Sequence, residues 1–452
     1  MGRRYRLVSD MTITEAIRMI SKRKVGIVEL VNLCLENIHK NQDLNAFITC
    51  MEEQALEEAK EKEKVAKNAD FEKQPLLGIP IAVKDLIDVK GVPTTAGSLF
   101  FKENIAKEDA FVVKLLRKAG AIIVGKTNLH EIALGVTNNN PHFGPCRNPY
   151  DKSKISGGSS GGSAVAVATG MALAALGTDT GGSIRIPAAL CGVVGLKPTY
   201  GVVSTSGVIP LAWHLDHVGP ITSSVEDAHL IFRITRKYDR NNPYSVTRVY
   251  KVKRNLSRLR VAVAVGEYIE EADQRILELV RDIAKSLEKM GFSVEQKKLD
   301  WLKDLAAANV LMTQVEAATF HKERLLKNPE MFGSDVRERL MQGLNTSGTD
   351  YALARKTQTE AKHIFREFFK EYDLILLPTT PITAPPIEGE NAVAMARKLT
   401  RFTAPFNISG LPALTVPVGF VDGLPAGVQL VASWFEEELL FFVGQKIESI
   451  VK

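Results

Sequence analysis

The spacing of apolar positions changes along the chain. From Thr12 to about residue 70 they recur every three to four residues, as in Ile27, Leu30, Val31, Cys34, Leu35 and Ile38, which predicts helices. Thr12 stands three residues before Glu15, a capping-box pattern that marks a helix start. Residues 52–70 are mostly Glu, Lys and Ala, with Glu58–Lys62 and Glu63–Lys67 at i,i+4, the texture of a solvated helix face. After Pro75 short apolar runs alternate with helical patterns: a run at 79–83, a helix at about 109–119 closed by Gly120, and a run at 121–124. The alternation resumes with a run at 261–265, a helix at 273–290, a run at 292–294, helical material from about 303 to 370, runs at 374–377 and 426–431, and a last helix at 436–451. Strand–helix–strand alternation calls for parallel strands with helices on the sheet faces. The expected fold class is α/β: one large α/β/α domain over 1–452 with a mixed, largely parallel central sheet covered by helices on both faces. Residues 1–70 form a helical N-terminal segment within it, and no Gly/Ser/Pro linker divides the chain into two cores.

Composition narrows the picture. Apolar residues make up 45% and charged residues 24% of 452, ordinary globular usage that excludes fibrous and low-complexity classes. The net charge of +6 permits an anionic partner without demanding one. The four cysteines, Cys34, Cys50, Cys146 and Cys191, are far apart in sequence and give no metal or redox pair, which predicts free thiols in a reducing, cytoplasmic setting. The basic N-terminus lacks the apolar stretch of a signal peptide. Residues 155–178 carry no charge over 24 positions, but the first half is Gly and Ser; an apolar helix at 164–176 suits a buried core element better than a membrane span. The run 247–260 holds six basic residues and no acid, and reads as a solvated connection, with nucleic-acid contact as the rival.

Two familiar patterns occur in the wrong context. Gly120-Ala-Ile-Ile-Val-Gly125-Lys126-Thr127 matches the phosphate-binding G-x-x-x-x-G-K-[ST] formula, yet its middle residues ask to be a buried strand rather than a loop of converging N–H groups. Gly157-Gly158-Ser159-Ser160-Gly161 matches G-x-S-x-G, but the polar residues before it supply no strand for a nucleophile elbow. What stands out is glycine density: eight glycines lie between Gly157 and Ser183, in two blocks, Gly157-Gly-Ser-Ser-Gly-Gly-Ser163 and Asp179-Thr-Gly-Gly-Ser-Ile-Arg185, joined by the Ala/Val helix. Glycines before a serine at a loop-to-helix junction let several N–H groups converge, as an oxyanion hole requires. Upstream, Lys84 closes an apolar run. It is either salt-bridged to Asp85 or Asp88 at the strand rim or desolvated into a base; lowering its pKa from about 10.4 to about 7 takes roughly 4–5 kcal/mol.

These residues together resemble the amidase signature family. The resemblance runs through Gly78-Ile-Pro-Ile-Ala-Val-Lys84-Asp85, the loop 140–149, both Gly/Ser blocks, Gly195-Leu-Lys-Pro-Thr-Tyr-Gly201, Leu215-Asp-His-Val-Gly-Pro220 and Pro378-Thr-Thr-Pro381. It implies a Ser–cis-Ser–Lys triad with Ser183 as nucleophile, Ser159 as the bridging serine after a cis peptide, and Lys84 as base. It further implies an oxyanion hole from the N–H groups of Thr180, Gly181, Gly182 and Ser183, with Ser160, Asp179 and Arg185 in support. The expected activity is hydrolysis of a small carboxamide through an acyl-enzyme, with no metal, no cofactor, no membrane, and oligomeric state open. The alternative is the glutaminase-type A subunit of a tRNA-dependent amidotransferase, with tRNA and partner subunits. His217, where that protein more often shows Gln, favours the independent amidase. So does Ala361, which stands where an arginine for glutamine's carboxylate is expected, with Arg355 nearby.

Overall fold

The computed structural model describes residues 8, 11–67, 69–247, 258–389 and 392–451. The basic run at 247–260 lies, over 248–257, outside the described residues, as does the basic N-terminus.

Helices α1 (Ile13–Ser21), α2 (Ile27–Lys40) and α3 (Glu52–Ala66) open the chain, and strand β1 (Phe47–Cys50) separates the last two. The Thr12 capping box forms: its hydroxyl accepts from the Glu15 N–H at 3.1 Å, and the Glu15 carboxylate accepts from the Thr12 N–H at 3.2 Å. β1 was not predicted, because four residues between helices carry no readable period. Next come β2 (Pro80–Lys84), α4 (Phe111–Lys118), β3 (Ile122–Thr127), a small pair β4 (Asn139–Asn140) and β5 (Gly144–Pro145), α5 (Gly161–Ala168), β6 (Ala174–Asp179), α6 (Arg185–Leu190), β7 (Val194–Lys197), β8 (His217–Thr222) and α7 (Val225–Thr235). The second half holds β9 (Arg260–Val265), α8 (Glu267–Glu270), α9 (Gln274–Lys289), β10 (Ser293–Lys298), α10 (Leu302–Lys327), α11 (Ser334–Asn345), α12 (Gly348–Glu371) and β11 (Leu374–Pro378). It closes with α13 (Ala392–Arg397), α14 (Pro405–Ile408), β12 (Ala413–Val421), β13 (Leu424–Ala432) and α15 (Glu437–Val451).

One eleven-stranded mixed sheet runs β1-β3-β2-β6-β8-β7-β12-β13-β11-β9-β10. The parallel neighbours predicted from the βαβ rhythm form two blocks, β3-β2-β6 and β11-β9-β10, joined through antiparallel strands. Helices cover both faces, as the alternation of β11 records: Leu374 and Leu376 pack into one apolar cluster with α7, α9 and α15, while Ile375 and Leu377 pack into another with α10 and α12. Full burial of each such side chain contributes about 1.5–3 kcal/mol.

Two expectations change. The apolar stretch 164–176 is not one helix: α5 ends at Ala168, Gly170 takes a left-handed φ of 67°, and the chain returns as β6 to pair with β2. The helical region from 303 to 370 divides into α10, α11 and α12. The phosphate-loop lookalike is β3 itself. A Cβ at Gly125 would lie 2.6 Å from the Thr49 carbonyl oxygen, so the glycine serves the approach of β1. Lys126 is fully buried, with its ammonium 2.7 Å from the Asp85 carboxylate.

Candidate active site

Parallel pairing of β2 with β6 places the carboxyl ends of the two strands side by side, the edge where α/β sheets present chemistry. Lys84 ends β2 and Asp179 ends β6. Lys84 is fully buried, and its Nζ donates to Ser159 Oγ and to Thr178 Oγ1, each at 2.7 Å. Neither Asp85 nor Asp88 pairs with it. Removal from water pushes the Lys84 ammonium down to about 7, against the opposing pull of Asp179 and Asp216. An ammonium brings three donors to two hydroxyls, whereas a neutral amine also offers a lone pair that Ser159 O–H can donate to. Near neutrality, then, the group is poised to take a proton.

The Gly158–Ser159 peptide is cis, and the Ser159 carbonyl accepts from the His130 N–H. Ser160 stitches the two Gly/Ser blocks together. Its hydroxyl donates to the Thr178 carbonyl at 3.0 Å and accepts from the Thr178 N–H at 3.2 Å, while its own N–H donates to the Ser183 carbonyl at 3.1 Å. Ser163 repeats this one turn on, donating to the Leu176 carbonyl and sharing a 2.7 Å bond with Thr127.

Asp179 and Arg185 form a buried, two-pronged ion pair, with Nη2–Oδ1 at 2.9 Å and Nε–Oδ2 at 3.0 Å. Burial opposes the charged form of Asp179; the Arg185 guanidinium, with Lys197 and the Asn407 amide, outweighs it and holds the carboxyl well below the usual range. The same carboxylate accepts from the N–H groups of Gly182 at 2.8 Å and Ile184 at 3.1 Å. This revises the expected oxyanion hole. The Gly182 N–H is spent inside the loop, while those of Thr180, Gly181 and Ser183 have no acceptor among the described residues. Gly182 has φ of 134°, and a Cβ there would lie 2.2 Å from Thr403 Oγ1. Thr180, Gly181 and Ser183 line a cavity of about 310 Å³.

Sequence reading missed the residues that clamp this loop from afar. Asn407 Nδ2 donates to the Asp179 carbonyl, Thr403 Oγ1 to that of Gly181, and Asn309 Nδ2 to that of Thr180. Arg185 Nη1 also donates to Gln429 Oε1 and the Thr403 carbonyl. Thr180 Oγ1 donates at 2.6 Å to Asp216, whose carboxyl burial raises to about 6 despite that bond. His217 is buried and accepts at Nε2 from Lys197, so its Nδ1–H is free to hold the carbonyls of Leu215 and Asp179. Asp216 and His217 were within reach, lying in a motif already singled out; Asn309, Thr403, Asn407 and Gln429 carry no local signal. Ala361 sits in the apolar cluster of α12 and does not line the cavity.

A mixed α/β sheet carries a buried lysine hydrogen-bonded to a serine that follows a cis peptide, beside a glycine-built loop that ends in a second serine. The amidase family model matches residues 29–441, and the chain belongs to the amidase signature family. The chain is 36% identical to the A subunit of glutamyl-tRNA(Gln) amidotransferase from Lawsonia intracellularis, over 96% of each chain. The crystal structure of the Thermotoga maritima counterpart superposes with a TM-score of 0.84 at 35% identity, covering 99% of this chain and 96% of the other. A chain from a vestigial protein complex, described as revealing the origins of an s-triazine catabolic enzyme, gives 0.92 at 32% identity over 98% and 100%.

Proposed function

We propose that the chain hydrolyses a carboxamide through an acyl-enzyme on Ser183, with Lys84 as base and Ser159 as relay. The observation that carries this is the 2.7 Å hydrogen bond from a fully buried Lys84, its pKa held near 7, to Ser159. Neutral Lys84 takes the Ser159 hydroxyl proton as Ser159 takes that of Ser183, and Ser183 Oγ forms the new bond to the amide carbon. The carbonyl electron pair moves onto oxygen, where the N–H groups of Thr180, Gly181 and Ser183 receive it. Collapse breaks the C–N bond, the relay returns its proton to the leaving nitrogen, and water repeats the cycle on the ester to give carboxylate and free serine. Among the described residues the Ser183 hydroxyl makes no side-chain hydrogen bond, so the relay requires Ser159 and Ser183 to come into contact during turnover.

Two settings for this chemistry follow. The names of the curated relatives support the A subunit of an amidotransferase, with glutamine as ammonia source and tRNA and partner subunits around it. The independent amidase, favoured by the sequence departures, draws support from the apolar burial of Ala361 and from the position of Arg355 on α12, since neither lines the cavity that holds Ser183. Ammonia release from a panel of glutamine, asparagine and simple carboxamides, with Ser183→Ala as blank, tests the chemistry. Turnover by the chain alone supports the amidase. Glutaminase activity that needs partner subunits and tRNA supports the amidotransferase, and full activity in folded Ser183→Ala overturns the nucleophile assignment.

A further inference from the structure

Asp216 stands at the end of the 209–216 segment, and its carboxylate accepts from the N–H groups of Leu211 at 2.9 Å and Ala212 at 3.1 Å. Those bonds close a local turn. A third reaches out of it: Thr180, 36 positions away, donates its hydroxyl to Asp216 Oδ1 at 2.6 Å. Thr180 and Leu211 both line the Ser183 cavity, so one carboxylate ties a wall of that cavity to the loop that carries Ser183. Asp216 also lines a small cavity of about 10 Å³ together with Thr178, the hydroxyl partner of Lys84, and the apolar residues Leu86, Val208 and Val218. Charges interact strongly across so narrow an apolar-walled space. Asp179 and Asp216 are the carboxylates that draw the Lys84 ammonium upward against its burial. Asp179 is engaged by Arg185, whereas Asp216 forms no ion pair among the described residues.

Resting on the amide-hydrolysis reading above, we infer that Asp216 is a positioning residue of this site: its carboxylate fixes the Thr180 hydroxyl, and with it the direction of the Thr180 N–H, and places negative charge beside the Thr178–Lys84 pair. The oxyanion position depends on the first task and the basicity of Lys84 on the second. The titratable groups that face Asp216 are Lys84 of β2, Tyr200, and Glu316 of α10, which His214 and Tyr351 hold. His217, its neighbour in sequence, is kept neutral by burial and by Lys197. Burial lifts the Asp216 carboxyl to about 6, with the Thr180 hydroxyl pulling the other way, so the group is ionised where Lys84 titrates. Its proton exchanges through a separate cleft of about 230 Å³ beside Trp213 and Tyr244, which shares no lining residue with the Ser183 cavity. A bound substrate leaves that route open.

Asp216→Asn keeps the shape and removes the charge. It is expected to lower kcat by about 10- to 100-fold, the value of a hydrogen bond to a charged group, with KM changed little. It should also move the rising limb of both kcat and kcat/KM to lower pH by about one unit, since the Lys84 ammonium loses a stabilising charge. A residue that only supports the fold would lower activity without moving the limb. Thr180→Val, which deletes the hydroxyl alone, should give a similar fall in kcat, and Thr180→Ser should recover most of it. Should Asp216→Asn not fold, the two Thr180 variants decide. Parental kcat in Thr180→Val, or an unmoved limb in Asp216→Asn, overturns the inference. If the parent protein turns over no amide, the hydrolysis reading fails by itself. NMR of the 15N-lysine-labelled protein, with the Lys84 signal assigned by its loss in Lys84→Met, then reads the amine directly: a lower titration midpoint in Asp216→Asn upholds the placement of charge, and an equal midpoint overturns it.

Discussion

Two fully buried lysines stand on adjacent strands and are put to opposite uses. In the parallel register of β2 and β3, Lys126 lies beside Val83, and Lys84 lies beside Thr127. Successive residues alternate faces, so the two ammonium groups point to opposite sides of the sheet. On one side Lys126 meets Asp85 at 2.7 Å, with Thr94 Oγ1 and the Pro93 carbonyl, each at 3.0 Å, completing its bonds. On the other, Lys84 meets two hydroxyls and no carboxylate within bonding distance. Burial is the same for both; the partner differs. A carboxylate turns a buried lysine into a structural ion, and hydroxyls leave it able to exchange a proton.

The largest effect that would break this comparison is loss of the Lys84 amine, the proposed base. Lys84→Ala is expected to lower kcat by about 10³-fold or more while circular dichroism stays native. A folded Lys84→Ala enzyme with near-normal turnover would remove Lys84 from the mechanism. Lys126→Met should do the reverse. It strands the buried Asp85 carboxylate and destabilises the protein by about 3–5 kcal/mol in denaturant unfolding. The double change with Asp85→Leu should recover most of that loss.

Giving Lys84 the kind of partner Lys126 has sharpens the contrast. Thr178→Asp places a carboxylate beside Lys84 and favours the ammonium. The limb on which kcat/KM rises with pH, expected near pH 7 in the parent protein, should move upward by about one to three pH units. An unmoved limb would mean that another group sets it.

The smallest effect is on stability. The folded pKa of Lys84 lies near 7 and the unfolded value near 10.5, so between these pH values the unfolded chain carries the extra proton. Stability should therefore rise with pH across that window, by about 1.4 kcal/mol per pH unit from this group alone. Below pH 7 its penalty is constant. The slope should be absent in Lys84→Met, which chemical denaturation at pH 7, 8 and 9 would reveal.

Much of the candidate site was legible because its residues form local patterns. The glycine blocks, the serines among them and the lysine ending an apolar run are short-range patterns, and each Gly/Ser block occupies one loop-to-helix junction. The strand at β3 could be told from a phosphate loop because Ala121-Ile-Ile-Val124 is apolar. Local spacing failed where long-range pairing decided the outcome. Residues 164–176 are apolar apart from Thr169 and Gly170, yet the far end becomes β6 because β2 and β8 offer ladders on either side. β1 was invisible for the same reason, since it exists through its pairing with β3. The clamps on the 179–183 loop, Thr403 and Asn407, lie more than 200 positions from the carbonyls they hold, where no spacing rule reaches.

By itself, then, the sequence determined the class of fold, the family and the candidates for the reactive groups, because these depend on residue type at short separation. The tertiary structure alone decided which buried lysine meets a carboxylate and which meets hydroxyls. It also decided which N–H groups of the 180–183 loop remain free, since Asp179 takes that of Gly182. Those outcomes depend on electrostatics and hydrogen bonding between groups that come together only when the sheet closes, and no local pattern of residues encodes them.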